Sequence, residues 1–474
     1  MLSGAEWLKL IANKSCTVIG LGVSNLPLID YLLRHGARVS ARDRKSREAL
    51  GNVASDLEQR GVSLVLGEGY LDGICEDIIF RSPGVRPFTK EIEAAVRRGA
   101  ILTSEMELFL ALTPARVIAV TGSDGKTTTT TLTHLILEQA FAKTDRRVYV
   151  GGNIGEPLLP YVDEMREGDV AVLELSSFQL YTMRQSPHVA AITNLSPNHL
   201  DWHADMEDYI LAKTNIYRHG ENLRAVFNAE NETTALLARN FERPKTLFSS
   251  AKQGVDEFGT LIGEHDHAVY LRDGAVCLWD GAREISYVLE EEILLPGRHN
   301  LENYMTAIAL TDGLASPEDV RQVAKSFRGV AHRLELVDTV NGVAYYNSSI
   351  DTSPTRTAAA LSAMKTKPIV ICGGYDKHIP FAPLAETLCK NAKAVVLTGA
   401  TAGKIKEALF DAACALPVLV VENFDDAVLQ AKGLAKSGDV VLLSPACASF
   451  DAFPNFAARG ERFRTLVSDM KTGG

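Results

Sequence analysis

The residues best suited to chemistry stand in one stretch, Val117-Ile-Ala-Val-Thr-Gly-Ser-Asp-Gly-Lys-Thr-Thr. An apolar run, a glycine turn and a following helix build a phosphate cradle: backbone N–H groups point at the phosphates, a lysine adds charge, and a hydroxyl can ligate Mg²⁺. Here Gly122 and Gly125 permit close approach, Lys126 is the cation and Thr127 the hydroxyl, with a helix expected from about Thr128 to Ala140. Val120 stands where the full phosphate-loop pattern has its first glycine, so an ordinary glycine turn is the alternative.

Three other places carry polar groups where α/β sheets put their sites, at the carboxyl ends of strands. Val18-Ile-Gly-Leu-Gly-Val-Ser-Asn resembles a dinucleotide turn, but Asn25 replaces its third glycine. A nucleotide site and a plain Rossmann-type turn both fit, and Asp43 after the next strand is compatible with a ribose contact. Val170-Ala-Val-Leu-Glu delivers Glu174, and Ala191-Ile-Thr-Asn-Leu-Ser-Pro-Asn-His-Leu-Asp delivers His199 and Asp201. A Glu and a His beside a phosphate loop make a Mg²⁺ or catalytic shell. Lys213, in an amphipathic helical stretch, reads by spacing alone as a solvated lysine.

The elements that must position these groups alternate in βαβ rhythm. Short Val- and Ile-rich runs at Cys16–Ile19, Arg116–Val120, Val170–Leu173, Ala190–Thr193, Pro368–Cys372, Ala394–Leu397 and Val440–Leu443 are separated by longer helical segments. With 474 residues and roughly 150 per domain, about three domains are expected. A Pro after the helix Glu105–Leu112 puts the first break near 114, and Arg328-Gly329 puts the second near 330, giving 1–114, 115–329 and 330–474. The Gly- and Asp-rich stretch from about Thr246 to Val288 reads as antiparallel strands appended to the middle domain.

Composition narrows the function. Forty-nine Lys+Arg against 59 Asp+Glu give a formal charge of −10, which disfavours nucleic acid and anionic lipid, so an anionic ligand must be held locally. No apolar run reaches the ~18 residues that span a bilayer, and the start lacks a signal-peptide pattern, so a cytoplasmic chain without membrane insertion is expected. Seven scattered cysteines without a Cys-x-x-Cys pair predict reduced thiols and no zinc site.

Taken in order, the motifs resemble the Mur ligase family of ATP-dependent amide ligases over essentially the whole chain. The matching strings are Thr121-Gly-Ser-Asp-Gly-Lys-Thr-Thr, Gly151-Gly-Asn-Ile-Gly and Leu295-Pro-Gly-Arg-His-Asn-Leu-Glu-Asn. Leu173-Glu-Leu-Ser-Ser-Phe-Gln-Leu, Gly373-Gly-Tyr-Asp-Lys and Leu443-Ser-Pro-Ala-Cys-Ala-Ser-Phe-Asp look like the branch that adds D-glutamate. The Asp-Asn-Pro-Arg string of the diaminopimelate- or lysine-adding branch is absent, as is the His-rich start of the L-alanine-adding one.

The resemblance implies an α/β protein of three domains: an N-terminal Rossmann-like UDP-binding domain, a central P-loop-type ATPase with a parallel sheet plus a small antiparallel sheet, and a C-terminal Rossmann-like domain. It implies a monomer acting on UDP-N-acetylmuramoyl-L-alanine, D-glutamate and ATP, with two Mg²⁺ ions. At matching positions Gly122, Ser123, Asp124, Gly125, Lys126, Thr127, Thr128, Asn300, Asn303 and Arg333 would bind ATP. Val23, Ser24, Asp43, Ser82, Pro83, Gly84 and Asn153 would face the UDP substrate, and Thr352, Lys377, Ser449 and Phe456 would hold D-glutamate. Thr127, Glu174, His199 and a carbamylated Lys213 would serve the metals, with Lys126, His199 and Lys213 catalytic.

Two positions depart from the family. Ser348 stands where many members carry Asp, and Asp351 is the candidate replacement; Ile350 replaces a frequent lysine and receives no role. Competing readings are a folylpolyglutamate synthase-like ligase, a nucleotide-binding protein that has lost catalysis, and a nicotinamide oxidoreductase. The 115 or so residues before the phosphate loop argue against the first. Intact Lys126, Glu174, His199 and Lys213 argue against the second, and Asn25 against the third.

Overall fold

The computed structural model describes the chain apart from residues 1, 23, 200, 201, 221–223, 296, 365, 377, 378, 473 and 474, with backbone alone at 355, 363 and 472. It forms two compact units, Met1–Phe327 and Arg328–Gly474.

The first unit holds two sheets. Strands β1 (Ser15–Ile19), β2 (Arg38–Asp43), β3 (Ser63–Leu66), β4 (Ile78–Arg81) and β5 (Ile101–Thr103) form a parallel sheet in the order β3-β2-β1-β4-β5. The order reverses at β1, so the crevice between β1 and β4 is the place for a ligand. Gly20-Leu21-Gly22 and Ser82-Pro83-Gly84 leave the sheet there.

The second sheet has nine strands: β6 (Arg116–Thr121), β7 (Val148–Gly152), β8 (Val170–Glu174), β9 (Val189–Ile192), β10 (Arg224–Asn228), β11 (Lys245–Ser249), β12 (His267–Arg272), β13 (Ala275–Trp279) and β14 (Glu284–Leu289). Their order is β14-β13-β12-β11-β10-β9-β6-β8-β7. The antiparallel strands read from the sequence do not stand apart: β11 and β12 still pair in parallel, and only β12, β13 and β14 run antiparallel, continuing the same sheet. Asp273 and Gly274, both at positive φ, make the tight turn that reverses the chain. Strands β6, β8 and β9 are buried along nearly their whole length, which is why they read as unbroken apolar runs.

One hydrophobic core runs through both sheets, from Trp7, Leu28, Tyr31 and Phe109 to Leu159, Met165, Leu173 and Phe227. The helix Glu105–Leu112 lies in this continuous core with Leu108 and Phe109 fully buried. Its first residue, Glu105, is itself buried, and its Oε1 has no hydrogen-bond partner.

In the second unit β15 (Glu335–Val340), β16 (Val343–Asn347), β17 (Ile369–Cys372), β18 (Ala394–Leu397), β19 (Val418–Val420) and β20 (Val440–Leu443) are ordered β15-β16-β20-β17-β18-β19. All pair in parallel except β15 with β16. Two core clusters pack this sheet, one built around Phe424 and Phe463 and the other around Leu384 and Leu409. The expectation that every cysteine stays reduced is corrected here: Cys389 and Cys414 are joined as a disulfide with Cα atoms 5.5 Å apart. Residues 25 apart in sequence were brought together by the turn after the helix Ala402–Asp411, which spacing alone does not reveal. Among the described residues, no helix is long and apolar enough to cross a membrane.

Burial pushes the Glu105 carboxyl up from 4.5 to about 7. The folded chain therefore holds that proton more tightly than the unfolded chain, and stability falls as pH rises from about 4.5 through 7, by about 3 kcal/mol in all. Glu105→Gln should raise the melting temperature near pH 8 and change it little near pH 4.5. Thermal unfolding at the two pH values checks this, and an equal shift at both would contradict it.

Candidate active site

Strand register assembles the centre of the site. In the order β9-β6-β8-β7, Val120 and Gly152 both pair with Glu174, and Thr121 pairs with Ile192. The phosphate loop, Glu174, Asn153 and the segment leading to His199 therefore leave one edge of the sheet together.

The loop is stitched to the segment after β9. Ser123 N–H donates to Asn194 O (2.8 Å), Asp124 N–H to Asn194 Oδ1 (3.0 Å), and Thr193 Oγ1 donates to Asp124 O (2.6 Å). Ser123 Oγ donates to Ser196 O (2.9 Å) and lies 3.1 Å from Tyr209 Oη. Gly122 has φ 146° and a Cβ there would collide with Thr193 Oγ1, so this close approach requires glycine. Gly125 stands at the start of the helix Lys126–Phe141 and makes no side-chain cap bond, the kind of helix start at which an anion can meet backbone amides. Asn303 accepts from Thr129 Oγ1 (3.2 Å) and donates to Asn300 Oδ1 (3.3 Å). Beside the loop lies a cavity of about 160 Å³ lined by Gly125, Thr193, Asn194, Phe248, His299 and Asn303 among others.

Beneath the loop the spacing-based reading of Lys213 is overturned: it is buried, not solvated. Its Nζ donates to Gly122 O (2.8 Å) and Thr121 Oγ1 (3.2 Å), while Lys126 Nζ donates to the same Gly122 O and to Ser123 O (3.0 Å each). Burial, then the Lys126 charge, holds the Lys213 amine well below its ordinary value, against the opposing pull of Glu174 and Asp124. Glu174 is buried; its Oε1 accepts from Asn153 Nδ2 (2.8 Å) and its Oε2 has no partner. His199 is exposed at φ 56°, its ring against Phe178 with centroids 4.9 Å apart.

In the first sheet's crevice Asp43 ties its neighbouring turn to the strand end. Its oxygens accept from Leu21 N–H (2.6 Å) and Lys45 N–H (2.8 Å), tying down the glycine turn. Ser24 precedes the helix Asn25–Arg34 with no side-chain cap bond. The Ser82-Pro83-Gly84 turn is organised by Arg81, a fully buried side chain that donates to Ser82 O (3.2 Å), Pro83 O (3.0 Å) and Val85 O (2.6 Å). Its other nitrogen donates to Phe178 O (3.0 Å) and Thr182 Oγ1 (3.2 Å), joining this turn to the segment after β8. Val23 lies outside the described residues.

The second unit gathers Ser449, Phe456 and the 347–352 segment around Arg459. That buried guanidinium donates to Ser349 Oγ and O (3.0 Å each), Cys447 O (3.1 Å) and Ala448 O (3.2 Å), and Phe456 O accepts from Ser349 Oγ (2.8 Å). Burial brings Arg459 down to about 10. Ser348 is buried, its Oγ accepting from Leu334 N–H (3.1 Å). Asp351 Oδ2 accepts from Ser444 Oγ (2.7 Å), and burial raises its carboxyl despite that bond. Thr352 is half-buried beside it, and Arg333 is exposed on the preceding turn. Lys377 lies outside the described residues.

Three family models cover most of the chain: a Mur ligase MurD-like N-terminal domain over 14–104, a Mur ligase middle domain over 120–311, and a Mur ligase glutamate ligase domain over 332–447. The chain belongs to the Mur ligase family. Two full-length relatives, from Clostridium novyi (strain NT) and Clostridium acetobutylicum, are 45% and 42% identical, each match covering 98% of this chain and 99% of the relative. Both are named UDP-N-acetylmuramoylalanine--D-glutamate ligase. Among solved structures, the UDP-N-acetylmuramate-alanine ligase MurC of Thermotoga maritima matches 97% of this chain and all of its own at 19% identity and TM-score 0.53. MurF of Acinetobacter baumannii matches 79% of this chain and 82% of its own at 17% identity and TM-score 0.53. These two establish the fold.

Mur ligases are ATP-dependent and use Mg²⁺. In this Mur ligase the orphaned Glu174 Oε2 and the Thr127 hydroxyl fit a hard cation that takes oxygen ligands. No group of three or more His, Cys, Asp or Glu side chains is poised for a metal among the described residues. Sequence reasoning missed Thr193, Asn194 and Ser196, whose place after a strand beside the loop was the available signal. It also missed Arg81, Tyr209 and His203, whose partners include residues far along the chain.

Gly122→Ala should abolish measurable ADP binding, because the new Cβ meets Thr193 Oγ1. Adding Thr193→Ala removes the collision but not the φ of 146°, so the double variant should regain only part of the affinity. Calorimetric titration with ADP checks both, and unchanged affinity in the single variant would contradict the account.

Proposed function

We propose that this Mur ligase joins D-glutamate to UDP-N-acetylmuramoyl-L-alanine, converting ATP to ADP and phosphate, in the cytoplasmic synthesis of peptidoglycan precursors. The observation that carries the reading is the convergence of Lys126 and Lys213 on a glycine loop beside Glu174 and Asn153, in a chain similar along its length to relatives of that name. In this reading residues 1–114 take the UDP substrate, 115–329 take ATP and 330–474 take the amino acid, and the protein works as a monomer.

A carboxylate resists amide formation because oxide is a poor leaving group. Its oxygen therefore attacks the γ-phosphorus of ATP, the bond to the β-phosphate oxygen breaks, and ADP leaves an acyl phosphate. The D-glutamate amine then attacks the acyl carbon, and the tetrahedral species loses phosphate and a proton to give the amide. The amides at the start of the helix Lys126–Phe141 and the Lys126 ammonium would stabilise charge on the phosphoryl oxygens as it develops. ATP would extend past Asn300 and Asn303 with its base in the neighbouring cavity, and Arg333 would approach its phosphates. Asn153, Ser24, the turn at 82–84 and Val23 would hold the UDP substrate, with Asp43 fixing the turn beside it. Thr352, Lys377, Ser449 and Phe456 would orient D-glutamate so that its amine, not a carboxylate, meets the acyl carbon.

Mg²⁺, when bound, lowers the charge repulsion between phosphate and incoming carboxylate. Thr127, Glu174 and His199 would hold it, and Lys213 as a carbamate would offer oxygen to a second ion. Carbamylation joins the unprotonated amine to CO₂ with loss of a proton, and the burial of Lys213 beside Lys126 favours that unprotonated form.

With UDP-N-acetylmuramoyl-L-alanine, ATP and Mg²⁺, phosphate release should require D-glutamate, fail with L-glutamate, and yield a product heavier by one glutamyl unit by mass spectrometry. Release with L-glutamate alone, or none under any condition, would contradict the proposal. Lys213→Ala should lower turnover by at least about 100-fold, in line with loss of an oriented active-site charge, and added acetate should restore part of it. Full activity in that variant would remove Lys213 from the mechanism.

A further inference from the structure

The segment from His199 to Tyr209 contains a second histidine with no task in the mechanism above. His203 is buried, and its ring bridges two side chains: Nδ1 lies 2.9 Å from Asp208 Oδ2 and Nε2 lies 3.0 Å from Ser177 Oγ. Asp208 also accepts from Tyr181 Oη (2.9 Å) and from Ala204 N–H (3.3 Å). Burial raises the Asp208 carboxyl, but the hydrogen bonds of His203, Tyr181 and Ala204 outweigh it and the net shift is downward. An ionised Asp208 favours the tautomer with the proton on Nδ1, which turns Nε2 toward the Ser177 hydroxyl.

The ring of His203 reaches the segment that follows Glu174, and its backbone reaches His199. Ser177 is three residues beyond Glu174, in the turn that carries Phe178. The Phe178 ring stacks on His203 (8° between planes, centroids 5.9 Å) and meets the His199 ring on its way (4.9 Å). On the other side, the backbone N–H groups of His203 and Trp202 both donate to His199 O (3.0 Å each), holding His199 at its positive φ. His203 thus bridges the segment after β8 and the segment after β9, two strands that flank β6 and do not pair with each other.

We propose that His203 is a positioning residue, locked by Asp208 and Ser177, that sets the separation and orientation of Glu174 and His199 as metal ligands. This rests on the reading of those two residues given above. Groups that orient ligands in this way change metal affinity by about 10–100-fold when removed.

The test measures Mn²⁺ binding by electron paramagnetic resonance with ADP present and no turnover, in the full chain. His203→Phe keeps the ring against Phe178 and removes both hydrogen bonds; Ser177→Ala removes one hydroxyl and guards against a folding defect in the first variant. Mn²⁺ affinity should fall about 10-fold or more in His203→Phe and in the same direction, less steeply, in Ser177→Ala. In steady-state assays the Mg²⁺ concentration for half-maximal rate should rise while the KM for D-glutamate stays constant. A lowered melting temperature with Mn²⁺ affinity unchanged in both variants would overturn the positioning role and leave the metal reading intact. Failure of the unmodified protein to bind Mn²⁺ would overturn the metal reading and this proposal with it.

Discussion

Two lysine side chains converge on a single backbone carbonyl, that of Gly122. Lys126 comes from the helix that the loop opens and Lys213 from a helix almost ninety residues later, and both ammonium groups are within hydrogen-bond reach of the same oxygen. Such an arrangement is costly for two protonated amines in a buried site, and the cost falls on Lys213 because it is the more enclosed. The rest of the centre follows from this constraint. Gly122 must lack a side chain to pass Thr193, Thr193 must face the loop to bond the Asp124 carbonyl and Asn194 to hold its amides, and Glu174 enters from the neighbouring strand end.

The first two sheets share one core, and buried charged groups lie where they meet. Arg81 spends its guanidinium on four carbonyls and a hydroxyl, three of those carbonyls in its own turn and the other acceptors after β8. Breaking such a group away from its partners leaves several buried acceptors unsatisfied, which fixes the geometry of the turn more firmly than apolar packing would. In the second unit Arg459 plays the same part for the 347–349 and 447–448 segments. Each arginine follows a short-range rule, that buried carbonyls need donors, at a place chosen by long-range folding.

This division explains what was legible in the sequence. The phosphate loop could be read because its function lies in backbone geometry, which forces glycine and lysine into adjacent positions. The buried strands could be read because strands covered on both faces are continuously apolar, and β18 and β20 have the limits that the runs Ala394–Leu397 and Val440–Leu443 suggest. Lys213 could not be read from spacing, since its helix is amphipathic and burial of a lysine depends on a loop far away; only resemblance singled it out. Asp43 was found as a polar residue at a strand end, but its partners, the Leu21 and Lys45 amides, are visible only when the glycine turn folds back over it. The Cys389–Cys414 pair and the joining of β12 to β11 likewise depend on tertiary approach, for which local composition carries no signal.

The proposal that most depends on this constraint is that burial beside Lys126, by favouring the unprotonated Lys213 amine, lets it take up CO₂. ¹³C NMR of the protein equilibrated with ¹³C-bicarbonate tests it directly. The account predicts one carbamate resonance near neutral pH that is missing from Lys213→Arg. A spectrum without that resonance, or one in which it survives the substitution, would contradict it.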